Sequence, residues 1–291
     1  ITKAKTVLFL GDSITHSGHY VSIVEARLRE MNGNRIPLII NLGLPSETCS
    51  GLSEPDHPFP RPTVHERLDR ALEKIKPDFV LACYGMNDGI YYPFSEERFA
   101  AYRAGIDKLI RKVKATGAKL VLMTPPPFDP LPLRKKGKIL PAGREKYAWF
   151  EIYENYDSEV LARYAAWLKT QADKVEAVID VHSPILAAVK AKRKTDPEFV
   201  LSGDGVHIDF AGHVIFARGL MKGIGLGENA EPNPALLKLV EEKRGVAHLA
   251  WLTHVGHKRP GPNSKLKFED AMAKADAVEK KIAAWFQKHG R

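Results

Sequence analysis

Short apolar runs alternate with segments of helical periodicity along the chain, as far as about residue 224. The runs are rich in Val, Ile and Leu, and their apolar residues are consecutive rather than alternate. This pattern is typical of strands that are buried on both faces of a parallel sheet. It predicts five strands, at residues 6–10, 38–41, 78–83, 119–123 and 176–180.

Apolar residues spaced three and four apart predict amphipathic helices between these strands. The stripes begin at Tyr20, Phe99 and Ile152, and Ser95 is placed to cap the second helix. Repeated strand–helix–strand units imply right-handed crossovers. We therefore predict an α/β fold, a three-layer α/β/α sandwich, whose ligand lies beyond the carboxyl ends of the strands.

Two segments fall outside this alternation. Residues 125–146 form a Pro-rich, basic connection on the ligand side, where long loops are often functional. The tail predicts helices near 234–243 and 266–288 around a Gly/Pro-rich turn at 256–262. We predict a catalytic domain of residues 1–226 and a helical C-terminal extension of residues 227–291 packed on it. About 60 residues alone would form a marginal domain.

Composition and charge narrow the function classes. The chain has 291 residues, of which 44% are hydrophobic and 27% charged, as in globular proteins. No apolar run reaches the ~18 residues of a membrane span, so we expect none. The net charge is +9, partly in basic runs at 134–138, 190–194 and 257–259. Without interleaved aromatics or a known module, these runs predict solvated faces rather than a nucleic-acid partner.

The positive charge also leaves open an anionic substrate, such as an acidic polysaccharide, and a polyanion-binding role for the basic tail. The two cysteines, Cys49 and Cys83, exclude a disulfide-rich scaffold, and we expect both to be buried free thiols. The chain starts at Ile1 without a recognisable signal peptide, as a trimmed chain would. We expect a secreted or periplasmic location rather than a cytoplasmic one; the oligomeric state is open.

A candidate nucleophile and base lie far apart in sequence. Ser13 follows the first apolar run, in GDSIT at 11–15, and precedes a helix. Asp204 and His207 lie three residues apart in a loop before a predicted helix at 211–222. The carboxylate can accept from Nδ1–H and fix the tautomer, which leaves Nε2 to take the serine proton. Taken singly, these residues would be explained equally well as helix caps and a structural pair.

Two further loop residues can donate hydrogen bonds to an oxyanion. Asn87 lies in GMND at 85–88, directly after the third predicted strand, and Gly43 follows the second. A side-chain amide and a backbone N–H are both suitable donors, although each residue type is also common in ordinary turns. With Ser13, His207 and Asp204, they complete the groups that serine acyl transfer needs.

These blocks, in this order, resemble the SGNH (GDSL) hydrolase superfamily over roughly residues 5–224. The resemblance implies a flavodoxin-like sandwich with five parallel strands, and no metal, nucleotide or redox cofactor. It implies that Ser13 is the nucleophile, His207 the base and Asp204 its orienter. The implied oxyanion hole consists of the N–H groups of Ser13 and Gly43 and the amide of Asn87. The tail beyond residue 227 is not part of the pattern.

Other polar and aromatic residues are candidates for the walls of the cleft. The resemblance makes Asp12 and Asp88 loop-bracing residues rather than reactants. Substrate contact is predicted for four side chains, whose aromatic faces would suit a sugar but also ordinary packing: His16, Tyr84, Phe128 and Trp149. No His, Cys or carboxylate spacing matches a metal-ligand set, so we predict no metal site.

The sequence therefore predicts a serine esterase. The cleft candidates are polar and aromatic, and no broad apolar lid helix is evident, so we expect a short acyl group, acetyl foremost, on a carbohydrate. A general short-chain esterase and a lysophospholipase- or thioesterase-type acyl hydrolase remain alternatives, because fold alone does not separate them. A non-catalytic carbohydrate-binding protein is disfavoured by the intact serine, histidine and asparagine. The expected partner is a small acyl ester or an acylated saccharide.

Overall fold

The structure, a computed structural model, describes residues 1–33 and 35–289. Its strands are β1 (Thr6–Gly11), β2 (Leu38–Asn41), β3 (Phe79–Cys83), β4 (Lys119–Met123), β5 (Ile139–Leu140), β6 (Ile152–Tyr153) and β7 (Ala177–Ile179). Five of them form one parallel sheet in the order β2-β1-β3-β4-β7, and β5 pairs with β6 separately. The predicted five-stranded parallel sheet is confirmed, with strand bounds that differ from the prediction by at most one residue.

Helices cover both faces of this sheet. They are α1 (Ser13–Ser17), α2 (His19–Asn32), α3 (Leu68–Ile75), α4 (Glu96–Ala115), α5 (Leu131–Arg134), α6 (Ala162–Lys169), α7 (His182–Lys192), α8 (Phe210–Gly223), α9 (Pro234–Val255) and α10 (Phe268–Lys288). Stacked rings join them in pairs: Tyr20 of α2 lies 4.0 Å from Phe216 of α8, and Tyr102 of α4 lies 4.4 Å from Tyr164 of α6. The architecture is the predicted α/β/α sandwich.

The sheet forms the core because its strands carry apolar residues on both faces. Val7, Leu8, Phe9 and Leu10 of β1 are completely buried. Burying one such side chain contributes about 1.5–3 kcal/mol, so continuous apolar runs favour a central parallel strand over an exposed one. Both thiols are buried and free, as predicted. Within the described residues, no helix is long and apolar enough to cross a membrane.

The stripe that begins at Ile152 does not start a helix there. Ile152 and Tyr153 form β6 and pair with β5, which belongs to the Pro-rich connection at 125–146. The helical path begins only at a π-helical turn, Tyr156–Leu161, and continues into α6. The apolar spacing is the same in both cases, and the partner strand decides which structure forms.

The first helix of the C-terminal extension is longer than the sequence indicates. It was expected near residues 234–243, but α9 continues to Val255 and ends at Gly256, whose φ is 82°. The helix continues because its second half is buried on the main fold: His248, Leu252 and Val255 are at most 5% exposed. α9 packs on α2 and β2, and α10 packs on α9.

A buried ion cluster joins the extension to α2. Arg29, which is 3% exposed, donates to the carboxylate of Glu25 on the same helix at 2.8 Å. Its guanidinium also donates to Glu279 of α10 at 2.7 and 2.8 Å. Lys243 of α9 pairs with both carboxylates. A buried charge is tolerated only when it is paired, so these groups depend on one another.

We expect Arg29→Ala to destabilise the protein by about 3–5 kcal/mol, because it leaves Glu25 buried beside one remaining cation. Urea unfolding followed by circular dichroism would measure this change. Lys281→Ala is the matched control, since Lys281 pairs with Glu242 on the surface and should cost no more than about 1 kcal/mol. Equal losses for the two variants would contradict a structural role of the cluster.

Candidate active site

Ser13 is held at the carboxyl end of β1 by a tight strand-to-helix turn. A Cβ at Gly11 would lie 2.2 Å from Thr15 Oγ1 and 2.9 Å from the Cys83 carbonyl oxygen, so only glycine fits there. Asp12 caps α1 by accepting a hydrogen bond from a backbone N–H at 2.9 Å. Ser13, the first residue of α1, has an N–H without an intrahelical acceptor.

The loop before α8 brings His207 and Asp204 to this serine. His207 Nε2 lies 2.7 Å from Ser13 Oγ, and His207 Nδ1 lies 2.7 Å from Asp204 Oδ2. The other carboxylate oxygen accepts from the N–H groups of Val206 and His207 and from the hydroxyl of Ser202. The three side chains thus form one hydrogen-bonded chain, as the sequence predicts.

The charges of this pair reinforce each other. Burial lowers the pKa of His207, but the hydrogen bond and charge of Asp204 raise it more, so the pKa lies above its ordinary value. Burial alone would raise the pKa of Asp204. Hydrogen bonds from His207 and the neighbouring backbone instead hold that pKa well below its usual range. The carboxylate therefore stays ionised and stabilises a protonated imidazole.

Asn87 lines the same cleft, and its side-chain amide has one hydrogen to donate to a ligand. Its Nδ2 donates to the carbonyl oxygen of Glu47 at 3.1 Å, and its Oδ1 accepts from the Tyr91 hydroxyl at 2.7 Å. These two bonds fix the orientation of the amide. Since an amide nitrogen carries two hydrogens, one remains for a ligand beside Ser13.

Gly43 is brought to the serine loop, but its N–H is already used. The N–H donates to Asn41 Oδ1 at 2.7 Å, and Asn41 Nδ2 donates to the Thr15 carbonyl oxygen. A Cβ at Gly43 would lie 2.3 Å from the His16 nitrogen. Close packing of two backbones therefore accounts for this glycine. It could serve an oxyanion only by exchanging the bond to Asn41, so that role stays a prediction.

Two buried acids hold the loops in place. Asp12 is described above as a helix cap, and burial raises its pKa to about 7. Asp88 accepts from the N–H groups of Cys49 and Ser50 at 2.8 and 2.7 Å, and burial raises its pKa to about 6. Asp12 makes its contact within the Ser13 turn, and Asp88 joins the Asn87 loop to the loop after β2, which fits the predicted bracing role.

The cleft beside Ser13 has a volume of about 230 Å³. Asn87 and His207 line it near the serine, and the remaining wall is formed by Pro45, Ser46, His57, Pro58, Phe59, Arg61, Tyr91, Trp149 and Arg259. A larger surface cavity, of about 660 Å³, lies where residues 76–78 and 117–118 lead into β3 and β4. That is the amino end of the strands, far from these groups.

Only one of the four predicted substrate contacts lies in the cleft. Trp149 lines it and is 49% exposed. Tyr84 is 1% exposed and donates its hydroxyl proton to Glu47. Phe128 is 2% exposed and packs against the backbone of Gly205. Both rings support the loops from beneath, so the prediction of direct contact is wrong for them.

His16 also lies behind the site rather than in it. Its Nδ1 is 3.1 Å from the Gly43 carbonyl oxygen and 2.9 Å from Nε2 of His248 on α9. Burial lowers the pKa of both imidazoles, so they pack here as neutral rings. Among the residues that the structure describes, no three His, Cys, Asp or Glu side chains are grouped to hold a metal ion.

Sequence reasoning missed several side chains of the cleft wall. His57, Phe59 and Arg61 lie in the loop between β2 and α3. The length of that loop on the ligand side, and its five prolines, were the available signal. Arg259 comes from the turn after α9, and no local pattern connects it with Ser13.

Comparison with known proteins identifies the family. Residues 9–215 match the GDSL-like lipase/acylhydrolase family. No curated protein sequence matches the chain.

Three solved structures are similar in fold, each under 25% identical in sequence. A gut microbial diltiazem-metabolizing enzyme, BT4096, has a TM-score of 0.61 and 19% identity; the match covers 77% of this chain but 48% of that one, so this chain spans about half its length. A point variant of Axe2, the acetyl-xylooligosaccharide esterase of Geobacillus stearothermophilus, has a TM-score of 0.56 and 22% identity over 77% of this chain and 96% of that one. A putative arylesterase from Agrobacterium tumefaciens has a TM-score of 0.51 and 21% identity over 76% and 98%.

The family match covers more than two thirds of the chain and includes Ser13, Gly43, Asn87, Asp204 and His207. The sheet order and the loops that carry these residues agree with it. The chain therefore belongs to the GDSL-like lipase/acylhydrolase family, the SGNH serine hydrolases of carboxylic esters.

Proposed function

We propose that the protein is a serine esterase that removes short acyl groups, acetyl foremost, from a carbohydrate through an acyl-enzyme. The observation that carries this proposal is the hydrogen-bonded chain from Asp204 through His207 to Ser13, with 2.7 Å at each link, at the wall of an open cleft. Both distances suit proton transfer without rearrangement.

In the proposed reaction, Ser13 Oγ attacks the ester carbonyl carbon while His207 Nε2 takes the hydroxyl proton. The tetrahedral intermediate collapses, the C–O bond to the alcohol breaks, and His207 returns the proton to the departing oxygen. Water then attacks the acyl-enzyme with His207 as base, which releases the carboxylic acid and restores the serine. Asp204 stays ionised throughout and stabilises the imidazolium.

The negative oxygen of the intermediate needs donors that are fixed in advance. The Asn87 amide is oriented by Glu47 and Tyr91, and the N–H of Ser13, at the first position of α1, has no intrahelical acceptor. We assign the oxyanion hole to these two groups, with Gly43 as a third donor if it exchanges its bond to Asn41. Donors that are already oriented require little reorganisation when the charge develops.

The size and walls of the cleft support a short acyl group and a sugar. A volume of about 230 Å³ lies below the roughly 300–1,000 Å³ of pockets that bury drug-sized ligands, so it has little room for a long acyl chain. Trp149 presents a half-exposed aromatic face, as sugar stacking requires. Axe2, which shares the fold, is described as an acetyl-xylooligosaccharide esterase.

A general short-chain or aryl esterase is the second candidate, because Trp149 in the cleft wall would equally suit stacking against a flat aromatic alcohol. A lysophospholipase- or thioesterase-type activity is disfavoured by the small volume. A non-catalytic carbohydrate-binding protein would not need the aligned chain of Ser13, His207 and Asp204.

We expect the native protein to hydrolyse 4-nitrophenyl acetate and Ser13→Ala to lose at least about 10³-fold in kcat, because the nucleophile is gone. Ser17→Ala, on the same helix but bonded to His213, is the matched control and should retain activity. An active Ser13→Ala would refute the mechanism.

The acyl length is tested separately. Acetate release from acetylated xylo-oligosaccharides should be faster than hydrolysis of 4-nitrophenyl decanoate. Faster cleavage of the decanoate would refute the short-acyl assignment.

We expect kcat/KM to rise with pH as His207 loses its proton, with a midpoint above about 6.5, the ordinary histidine pKa. In Asp204→Asn the midpoint should move to lower pH, because the carboxylate no longer stabilises the imidazolium, and the plateau should fall by at least about 10²-fold. NMR titration of His207 would measure the pKa directly. Asp196→Asn, an exposed residue, is the control, and a midpoint that ignores Asp204→Asn would contradict the assignment.

We expect Asn87→Ala to lower kcat by about 10²–10³-fold, or about 2.7–4 kcal/mol, with a smaller change in KM, because the donor acts mainly on the transition state. Tyr91→Phe removes only the hydroxyl that donates to Asn87 Oδ1 and leaves Asn87 Nδ2 in place. The decrease in kcat for Tyr91→Phe should therefore be much smaller. Steady-state kinetics on the acetyl ester would separate the two. Equal losses would show that orientation, not donation, is what Asn87 supplies.

A further inference from the structure

Arg259 brings a positive charge into the cleft from outside the family region. The residue lies in the turn between α9 and α10, beyond the matched residues 9–215. It lines the cleft together with Ser13 and His207, and its guanidinium lies 5.1 Å from the centre of the Phe59 ring. The C-terminal extension is thus part of the active-site wall.

The turn that carries Arg259 is fixed to the main fold. Arg70 of α3 donates to the carbonyl oxygens of Val255 and Gly256 at 3.0 and 3.1 Å. Lys74, one turn further along α3, donates to the His254 carbonyl oxygen at 2.7 Å. These bonds hold the end of α9 against α3. The position of the cation is therefore set by the fold.

The two arginines of the cleft differ in how their charges are balanced. Arg61 is buried and donates twice to Glu54, at 2.5 and 2.6 Å, so its charge is neutralised. Arg259 donates from Nη1 to the neighbouring Pro260 carbonyl oxygen, and its buried Nε has no partner within residues 1–33 and 35–289. Burial lowers its pKa, and no carboxylate in the described part of the chain raises it.

We propose that Arg259 is a specificity residue that binds a carboxylate on the acylated substrate. A half-buried guanidinium without an acidic partner attracts an anion, and the charge-assisted contact is stronger in a partly desolvated cleft than in water. One uncompensated cation matches the single charge of a carboxylate better than a phosphate dianion. The substrate class is then an acyl ester with a carboxylate, such as an acetylated acidic sugar.

This inference rests on the proposed esterase activity and narrows its substrate. One cation of the basic segment 257–259 lines the cleft beside Ser13 and His207, so part of the net charge of +9 can act directly on a bound substrate. Lys258, its neighbour, is exposed and does not line the cleft. Substituting Arg259 and Lys258 one at a time therefore separates the effect of the charge in the cleft from the effect of the net charge.

The test compares esters that differ only in charge. The first pair, 4-acetoxybenzoate and its methyl ester, places the carboxylate in the alcohol half. The second pair, monomethyl succinate and dimethyl succinate, followed by titration of the released acid, places it in the acyl half. We expect the native protein to prefer the acidic member of one pair, which identifies the half that faces Arg259. In Arg259→Gln the ratio of kcat/KM, acidic over neutral, should fall by about tenfold, mainly through KM.

Lys258→Gln removes the same charge outside the cleft and should leave the ratio unchanged. Arg259→Lys should keep more of the preference than Arg259→Gln, which a merely structural role would not predict. The inference is overturned if the native protein shows no preference, if Arg259→Gln keeps it, or if Lys258→Gln loses it equally. If neutral esters are hydrolysed independently of Ser13, or not at all, the esterase proposal itself fails.

Discussion

The parallel pairing of β1 with β3 is the constraint on which the site depends. Gly11 lies opposite Cys83 in this register, so the chain leaves both strands at the same level. Ser13 and Asn87 follow within a few residues, at the point where the strand order reverses and the loops diverge. Because both strands are buried, a slip of one residue would turn their side chains to the wrong face. The core thus sets the distance between Ser13, the proposed nucleophile, and Asn87, the proposed oxyanion donor.

A buried ion pair, Glu47 with Arg67, holds the loop that orients the Asn87 amide. Glu47 and Arg67 are almost completely inaccessible and share two hydrogen bonds, at 2.7 and 2.6 Å. Tyr84 donates to the same carboxylate, and the Glu47 carbonyl oxygen accepts from Asn87. A buried ion pair is costly unless hydrogen bonds compensate it, and here only Arg67 Nη1 lacks a partner among the described residues of the pair and its neighbours Tyr84 and Asn87. Tyr84 therefore influences the chemistry by positioning Asn87 and not by touching a substrate.

The sequence predicts the sheet, and it indicates the residues of the candidate site, because both follow local rules. Continuous apolar runs specify strands buried on two faces, and the loops after them carry Ser13 and Asn87 to one edge. The remaining errors concern partners that are distant in sequence. Ile152 has a helical neighbourhood but pairs with a strand, and Phe128 could equally face a cleft or a core. Arg259 could not be placed, since its position depends on how α9 docks on α3.

The C-terminal extension contributes to the site in two separate ways. Through α9, His248 contacts His16, which in turn contacts the Gly43 carbonyl oxygen behind the serine loop. Through the following turn, Arg259 enters the cleft from the front. The buried ion cluster around Arg29 would be enough if the extension only stabilised the domain. The contacts of His248 and Arg259 near the site are additional to that role. Since the proposed catalytic groups all come from residues 9–215, a change in the extension can alter substrate choice without moving those groups.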